Sequence, residues 1–256
     1  MPVDILFPSG AGLTTSYSDT LQNAVTVNGN TSRLNPLNWI FGVGANPRTG
    51  AFGSSAWPLY KIGASSIDAA NCLQWLAVGD TAFSNNLPAY LIPIALYNKN
   101  VYGNTQFSQC TLLQKTGPAS GNNWGGLAVG LTPAAIGSTL NTSLFNPGLF
   151  SYTLQIQANG QGSLNRFGIE SESDAVGLVN YGAGTFNNAD ILRLSMNVGS
   201  SSVVLTVTQN AVVLTTYTDN SANRITTGVP GLIFYYPSPN DAFKSEWRTF
   251  SAGVGL

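Results

Sequence analysis

Apolar and polar residues alternate along much of the second half of this chain, and a period of two marks strands with one face on a core. In 151–157, Tyr152, Leu154 and Ile156 fall on one side while Thr153, Gln155 and Gln157 fall on the other. Leu192, Leu194, Met196 and Val198 repeat the pattern against Arg193, Ser195 and Asn197. The stretches 203–208 and 212–217 flank Gln209-Asn210-Ala211, which predicts a tight hairpin. Earlier in the chain the apolar runs 72–78 and 90–97 have strand length rather than helix length, and predict strands covered on both faces. Residues 107–113 and 127–131 continue in that style on either side of a Gly/Ser/Asn loop at 116–126. Asn28-Gly29 after Ala24-Val25-Thr26-Val27 predicts a hairpin, because its turn needs two residues of positive φ. Only 133–144 reads as a short helix. The expected class is all-β, antiparallel.

Composition narrows this to one large body. The 256 residues are 43% hydrophobic and 11% aromatic, enough for a sizeable core. No linker marks a boundary, so a single domain over 1–256 is expected, with a loop-rich N-terminal segment of about residues 1–65 packed on it. Charged residues make up 8%, against about 25% in an average soluble protein. Asn, Ser, Thr, Gln and Gly must hydrate the surface instead, as on many extracellular and virion proteins. With 10 basic and 11 acidic residues and no Lys/Arg patch, phosphate neutralisation has little to work with, and no nucleic-acid partner is expected. No apolar run is long enough for a membrane-spanning helix, and the N-terminus lacks the basic and apolar regions of a secretory signal.

There is no histidine, which removes the commonest general base and metal ligand. The two cysteines, Cys72 and Cys110, form either one bridge or two buried thiols; the absence of an export signal favours the thiols.

The order of pieces late in the chain carries a resemblance. Residues 191–198, the hairpin 203–217, Thr218-Asp219-Asn220-Ser221, the Gly-x-Pro-Gly strand 227–236 and the closing strand 247–253 follow one another as in laminin G-like, concanavalin A-like jelly-roll sandwiches. Residues 105–112 and 123–130 are similar to the central strand pair of that family. Two positions depart from its pattern: Arg248-Thr249 stands before Phe250 where Asp-Asn is common, and the hairpin tip is Asn210-Ala211 rather than Asn-Gly. The resemblance implies a two-sheet antiparallel jelly-roll sandwich with long loops, a fold used by lectins, glucanases, adhesion modules and phage particle proteins.

Chemistry is sparse. Glu170, Glu172 and Asp174 form the one carboxylate cluster. Retaining glucanases of this fold place their acids in a Glu-x-Asp-x-x-Glu pattern, which this spacing does not match, so a solvated acidic edge is expected and no catalytic residue. Glycan contact needs exposed rings beside amides, and the candidates are Trp39, Trp57, Trp124, Tyr181 and Tyr236. Asn30-Thr31-Ser32 and Asn141-Thr142-Ser143 fit the glycosylation pattern, without a signal to support them. Gly42-Val43-Gly44 lacks the helix and lysine of a phosphate loop.

These features lead to the expectation of a non-enzymatic bacteriophage structural protein: a decoration, fibre or tail component located in the virion, extracellular after release. Its partners would be other virion proteins, copies of itself or cell-surface glycans, with no cofactor, metal or membrane insertion. The alternatives are a stand-alone carbohydrate-binding lectin and a polysaccharide hydrolase or lyase.

Overall fold

The computed structural model describes residues 16–27, 30–33, 39–41, 60–76, 90–96, 105–117, 124–131, 150–168, 175–236 and 244–254. Every regular element among them is a strand, and all pair antiparallel. One sheet has eight strands. Its order is β15 (Val212–Asp219), β14 (Val203–Gln209), β13 (Asp190–Val198), β8 (Thr105–Thr116), β17 (Lys244–Gly253), β6 (Asn71–Leu76) and β5 (Tyr60–Ala64), with β1 (Ser16–Asp19) pairing the C-terminal end of β17. The other has seven: β12 (Ala175–Tyr181), β11 (Gly162–Gly168), β10 (Phe150–Ile156), β9 (Trp124–Leu131), β16 (Val229–Tyr236), β7 (Tyr90–Leu96) and β4 (Trp39–Phe41). A separate pair, β2 (Val25–Val27) and β3 (Asn30–Arg33), joins Val27 to Asn30 and so leaves the two-residue connection expected at Asn28-Gly29. The suggested helix at 133–144 lies outside the described residues.

The alternation read from the sequence is the interface between the sheets. Leu192, Leu194 and Met196 of β13 and Val203, Leu205 and Val207 of β14 are fully buried against Tyr152, Leu154 and Ile156 of β10 and Leu127 and Val129 of β9. Burying such side chains contributes roughly 1.5–3 kcal/mol each. Polar pins cross the same interface: Gln106 of β8 donates to the Gly228 carbonyl (3.2 Å) and accepts from the Gly130 amide (3.0 Å), and Ser108 donates to the Gly231 carbonyl (2.8 Å). The strand around Gly-x-Pro-Gly is threaded closely. A Cβ on Gly228 (φ 128°) would lie 2.3 Å from the Gly130 backbone, and the β16–β9 register shifts at Pro230, which has no amide hydrogen for the ladder.

Two local departures from the family pattern have geometric reasons. Trp247 and Phe250 stand an odd number of residues apart in β17, yet both are fully buried. The β17–β8 register shifts between Arg248 and Ser251, where Thr249 adopts φ 58°, and this bulge turns both rings inward. At the β14–β15 tip, Asn210 (φ 52°) and Ala211 (φ 66°) both take left-handed conformations, as a type I′ turn demands. Alanine pays a steric penalty there that glycine does not. Ala211→Gly is therefore expected to raise the unfolding free energy by about 0.5–1 kcal/mol in urea titration.

Cys72 and Cys110 are free and buried. Burial pushes the Cys72 thiol up to about 11 and the Cys110 thiol higher still, which keeps both protonated.

One expectation about faces is corrected. Alternation puts Thr153 on the solvent side of a half-buried strand, but Ser151 and Thr153 are fully buried, and β9 is buried along its whole length. The seven-stranded sheet is thus covered on both faces at its centre, and among the described residues it opens to solvent toward β11 and β12.

Candidate functional site

The three ring candidates whose side chains are described, Trp39, Trp124 and Tyr181, do not come together as a stacking platform. Trp39 is 1% exposed. Its indole Nε1 donates to Asp19 Oδ2 at 2.9 Å, and its faces meet Phe250 (centroids 4.9 Å) and Tyr17 (6.2 Å) edge-on, so it is a core anchor between the sheets. Trp124 is 5% exposed and stacks against Phe167, leaving no face for a ligand. Tyr181 turns its ring inward, edge-on to Phe186 at 5.1 Å, and burial pushes its phenol up. Trp57 lies outside the described residues, as do Glu170, Glu172 and Asp174. Tyr236 ends β16 opposite Tyr90, and its side chain is outside the described part.

What the fold does assemble is a row of amides and hydroxyls at the open side of the seven-stranded sheet. Cross-strand register puts Gln155 of β10 beside Ser163 of β11, and Ser163 beside Asn180 of β12. All three stand on the face opposite Leu154, Leu164 and Val179, which point to the core side. The adjacent row is Thr153, Asn165 and Gly177. The register shift between Leu164 and Asn165 leaves Leu178 without an opposite residue. Gly177 and Asn180 are separated by three positions yet reach the same face because of this bulge. A Cβ on Gly177 would meet nothing nearer than Asn165 Oδ1 at 3.6 Å, so the floor there is open.

Gln157 and Gln161 close one end of the row. The turn between β10 and β11 is held by Gln157 N to Gln161 O (3.0 Å) and Gln161 N to Asn159 Oδ1 (3.0 Å), with Gly160 at φ 78°. Together, Gln155, Gln157, Gln161, Gly162, Ser163, Asn180 and the edge of Tyr181 enclose a recess of about 290 Å³. Gly162 is required here, because a Cβ would lie 2.3 Å from the Gln155 carbonyl and 2.7 Å from the Phe186 ring.

Two relays orient the polar groups. Asn165 Nδ2 donates to Ser163 Oγ (2.7 Å), which donates to Gln155 Oε1 (3.2 Å). Asn159 Nδ2 donates to Gln161 Oε1 (3.0 Å), and Gln161 Nε2 donates in turn to Gln157 Oε1. The oxygens of Gln155 and Gln157 are thereby engaged, which leaves their NH₂ groups as donors toward the recess. Asn180 is exposed, and its amide offers both a donor and an acceptor. Among the described residues that line the recess there is no Asp, Glu, Lys or Arg.

The described carboxylates are committed elsewhere. Asp19 accepts from Tyr17, Leu21 and Trp39; Asp68 pairs with Arg248 at 2.6 Å; Asp190 accepts from Asn187 and Asn210; Glu246 accepts from Ser65, Ser66 and Gln74. Asp219 binds Arg166 (2.7 Å), the Tyr152 hydroxyl (2.6 Å) and the Ser221 amide (2.9 Å). Among the described residues no group of three or more His, Cys, Asp or Glu side chains could hold a metal ion.

A second, larger recess of about 770 Å³ lies on the outer face of the eight-stranded sheet, across β8, β13, β14 and β15. Ser195, Thr206, Thr208 and Thr216 line its floor, Ile191 and Val213 its rim, and the Arg193 guanidinium sits 3.8 Å above the Phe107 ring.

Sequence reasoning placed Gln155 and Gln157 on the polar side of their strand. It did not single out Ser163, Asn180 or Gln161; of these only Gln161 carried a signal, as the end of the turn Gln157-Ala158-Asn159-Gly160-Gln161.

No protein-family model and no curated protein sequence matches the chain. Solved structures do match it. An endo-1,3-β-glucanase from Streptomyces sioyaensis is similar at 15% identity over 96% of this chain and 100% of that one, with a TM-score of 0.55. The potassium-bound carbohydrate recognition domain of Emp46p is similar at 10% identity over 94% and 97%, TM-score 0.52. The carbohydrate recognition domain of Emp47p is similar at 12% identity over 94% and 96%, TM-score 0.50. These matches correct the expectation of a non-enzymatic bacteriophage structural protein: they are two carbohydrate recognition domains and an enzyme, and no virion protein is among them. The arrangement of the two sheets and these near full-length matches agree: the fold is the concanavalin A-like jelly-roll sandwich.

Proposed function

We propose that this protein binds a neutral saccharide in the recess formed by β10, β11 and β12. The observation that carries the reading is the row Gln155, Ser163 and Asn180, held side by side by strand register and flanked by Gln157 and Gln161. Sugar hydroxyls both donate and accept, and amides are the side chains that match both roles without a net charge. Neighbouring strands lie about 4.8 Å apart, so the row spans about 10 Å, the scale of one or two sugar rings. The carbohydrate recognition domains that share the fold support the same reading.

Each hydrogen bond to a neutral ligand contributes about 0.5–1.5 kcal/mol. Gln155→Ala and Asn180→Ala are each expected to weaken binding about 2- to 10-fold, measured by calorimetric titration with the best ligand from a neutral-glycan array. Because none of the described groups that line the recess titrates near neutrality, the affinity is expected to stay flat between about pH 5 and pH 8. A folded protein that binds no glycan on the array, or a Gln155→Ala/Asn180→Ala double variant of unchanged affinity, would refute the proposal.

The shared fold with an endo-1,3-β-glucanase motivates one further measurement. Release of reducing sugar from a β-1,3-glucan, abolished by Glu170→Gln or Glu172→Gln, would make the protein a glycoside hydrolase instead.

A further inference from the structure

The structure assigns a second ligand site to the outer face of the eight-stranded sheet: a recess centred on Arg193 that takes a carboxylate-bearing sugar, a hexuronate unit. The recess measures about 770 Å³, within the range of small-molecule sites. Strand register builds it. One row runs from Gln109 of β8 through Arg193 of β13 and Thr208 of β14 to Val213 of β15, and the next from Phe107 through Ser195 and Thr206 to Thr216. The β13 and β14 members alternate with Leu192, Leu194, Leu205 and Val207, which fill the core between the sheets.

Charge gives the sign of the ligand. Among the described residues that line the recess, Arg193 is the one charged side chain, and there is no Asp or Glu. Its guanidinium lies 3.8 Å above the Phe107 ring, a cation–π contact that uses the flat face and fixes its place. A guanidinium carries five N–H donors in its plane, so Arg193 can keep partners within the fold and still present a fork to a carboxylate. Partial burial strips water from this cation and lowers its pKa from the ordinary arginine value. A bound anion restores what the lost water supplied. One positive charge matches one carboxylate, whereas a phosphate dianion would bring a second charge that no other described side chain of the lining offsets.

The rest of the lining calls for hydroxyls. Gln109 and Thr208 flank Arg193 in its own row, and Ser195, Thr206 and Thr216 stand in the next. Each both donates and accepts, the two roles that sugar hydroxyls also play. Ser195 is 5% exposed although it lines the recess, so the floor lies deep there. Ile191 and Val213, both exposed, add apolar surface for the C–H side of a pyranose ring. From Gln109 to Val213 the row spans about 14 Å, room for one or two sugar rings. A plain aliphatic acid would leave the hydroxyls of the floor unmatched, and a neutral sugar would gain nothing from the charge of Arg193. The site lies on the other sheet from Gln155, Ser163 and Asn180 and does not depend on saccharide binding there.

NMR titration of the full chain with D-glucuronate tests the assignment. Backbone amides of 193–195 and 206–208 are expected to shift saturably, with a dissociation constant of about 1 mM. The amides of Gln155, Ser163 and Asn180 report the other recess separately, so failure at one site is told apart from failure at the other. The uncharged methyl ester of glucuronic acid and inorganic sulfate are each expected to bind at least about tenfold more weakly. Arg193→Gln is expected to weaken glucuronate binding about 10- to 100-fold, and Arg193→Lys, which keeps the charge without the fork, about 3- to 10-fold. If Arg193→Gln does not fold, Thr208→Val on the outer side of β14 is expected to weaken binding about 2- to 10-fold. The proposal is overturned by amides of 193–195 and 206–208 that do not move at about 20 mM glucuronate. Equal binding of the ester or of sulfate overturns it as well, as does unchanged affinity in the folded Arg193 or Thr208 variant.

Discussion

Replacing Asp219 by Ala is expected to lower the unfolding free energy by about 3–5 kcal/mol, measured by urea titration. Asp219 ends β15 in one sheet, while its partners Tyr152 (β10) and Arg166 (β11) belong to the other. The Tyr152 hydroxyl also accepts from the Ile225 amide (3.1 Å), so one carboxylate ties both layers to the 220–228 loop. The side chains of Asp219 and Arg166 are 3% and 11% exposed. Removing the acid strands a guanidinium and a phenol away from water, which costs more than the intact pair contributes.

The same network sets an acid limit. Burial alone would raise the Asp219 carboxyl, but hydrogen bonds from Ser221, Tyr152 and Arg166 outweigh it and hold the group at about 2 against a reference of 3.8. A carboxyl depressed in the folded state stabilises the fold above its unfolded value, here about 2 kcal/mol at neutral pH. That contribution is lost as the pH falls from about 4 to about 2. The stability gap between wild type and Asp219→Asn is therefore expected to narrow over this window. A gap that stays constant from pH 7 to about pH 2, or an Asp219→Ala variant within about 1 kcal/mol of wild type, would contradict this account.

Trp39→Ala is expected to cost about 3–5 kcal/mol and to leave saccharide binding unchanged once the protein is folded. Trp39 on β4 belongs to the seven-stranded sheet, and it packs against Tyr17 of β1 and Phe250 of β17 in the other. Deleting the ring removes its contacts with Tyr17 and Phe250 and opens a void between the layers. Trp39→Phe restores most of the volume but takes away the indole N–H that Asp19 accepts, and should cost about 1–2 kcal/mol. The two variants separate packing from hydrogen bonding. Loss of glycan affinity in a folded Trp39→Phe variant would return this residue to the ligand site.

The late strands were the most legible part of the chain. The alternation at 151–157 and 192–198 and the hairpin at Asn210-Ala211 correspond to β10, β13 and the β14–β15 tip, because a period of two is a local property that any half-covered strand must show. The burial of Trp39 and Trp124 was not legible for the converse reason. Trp39 looks the same in sequence whether it faces water or Phe250, and its burial depends on a strand more than 200 positions away. Thr153 failed likewise: alternation says which side a residue takes, not whether that side is covered.

By itself, then, the sequence determined that the chain is all-β, which aliphatic residues form the core, and that the surface is made of amides and hydroxyls with little charge. Those properties follow from local periodicity and composition. Only the tertiary structure decided that Gln155, Ser163 and Asn180 form one row, that the sheet centre is closed on both faces, and that β15 stands at the end of its sheet among the described residues. Each of these depends on register between strands distant in sequence and on a bulge at Leu178 or Leu214, and a shift of one residue would turn every side chain of a strand to the other face.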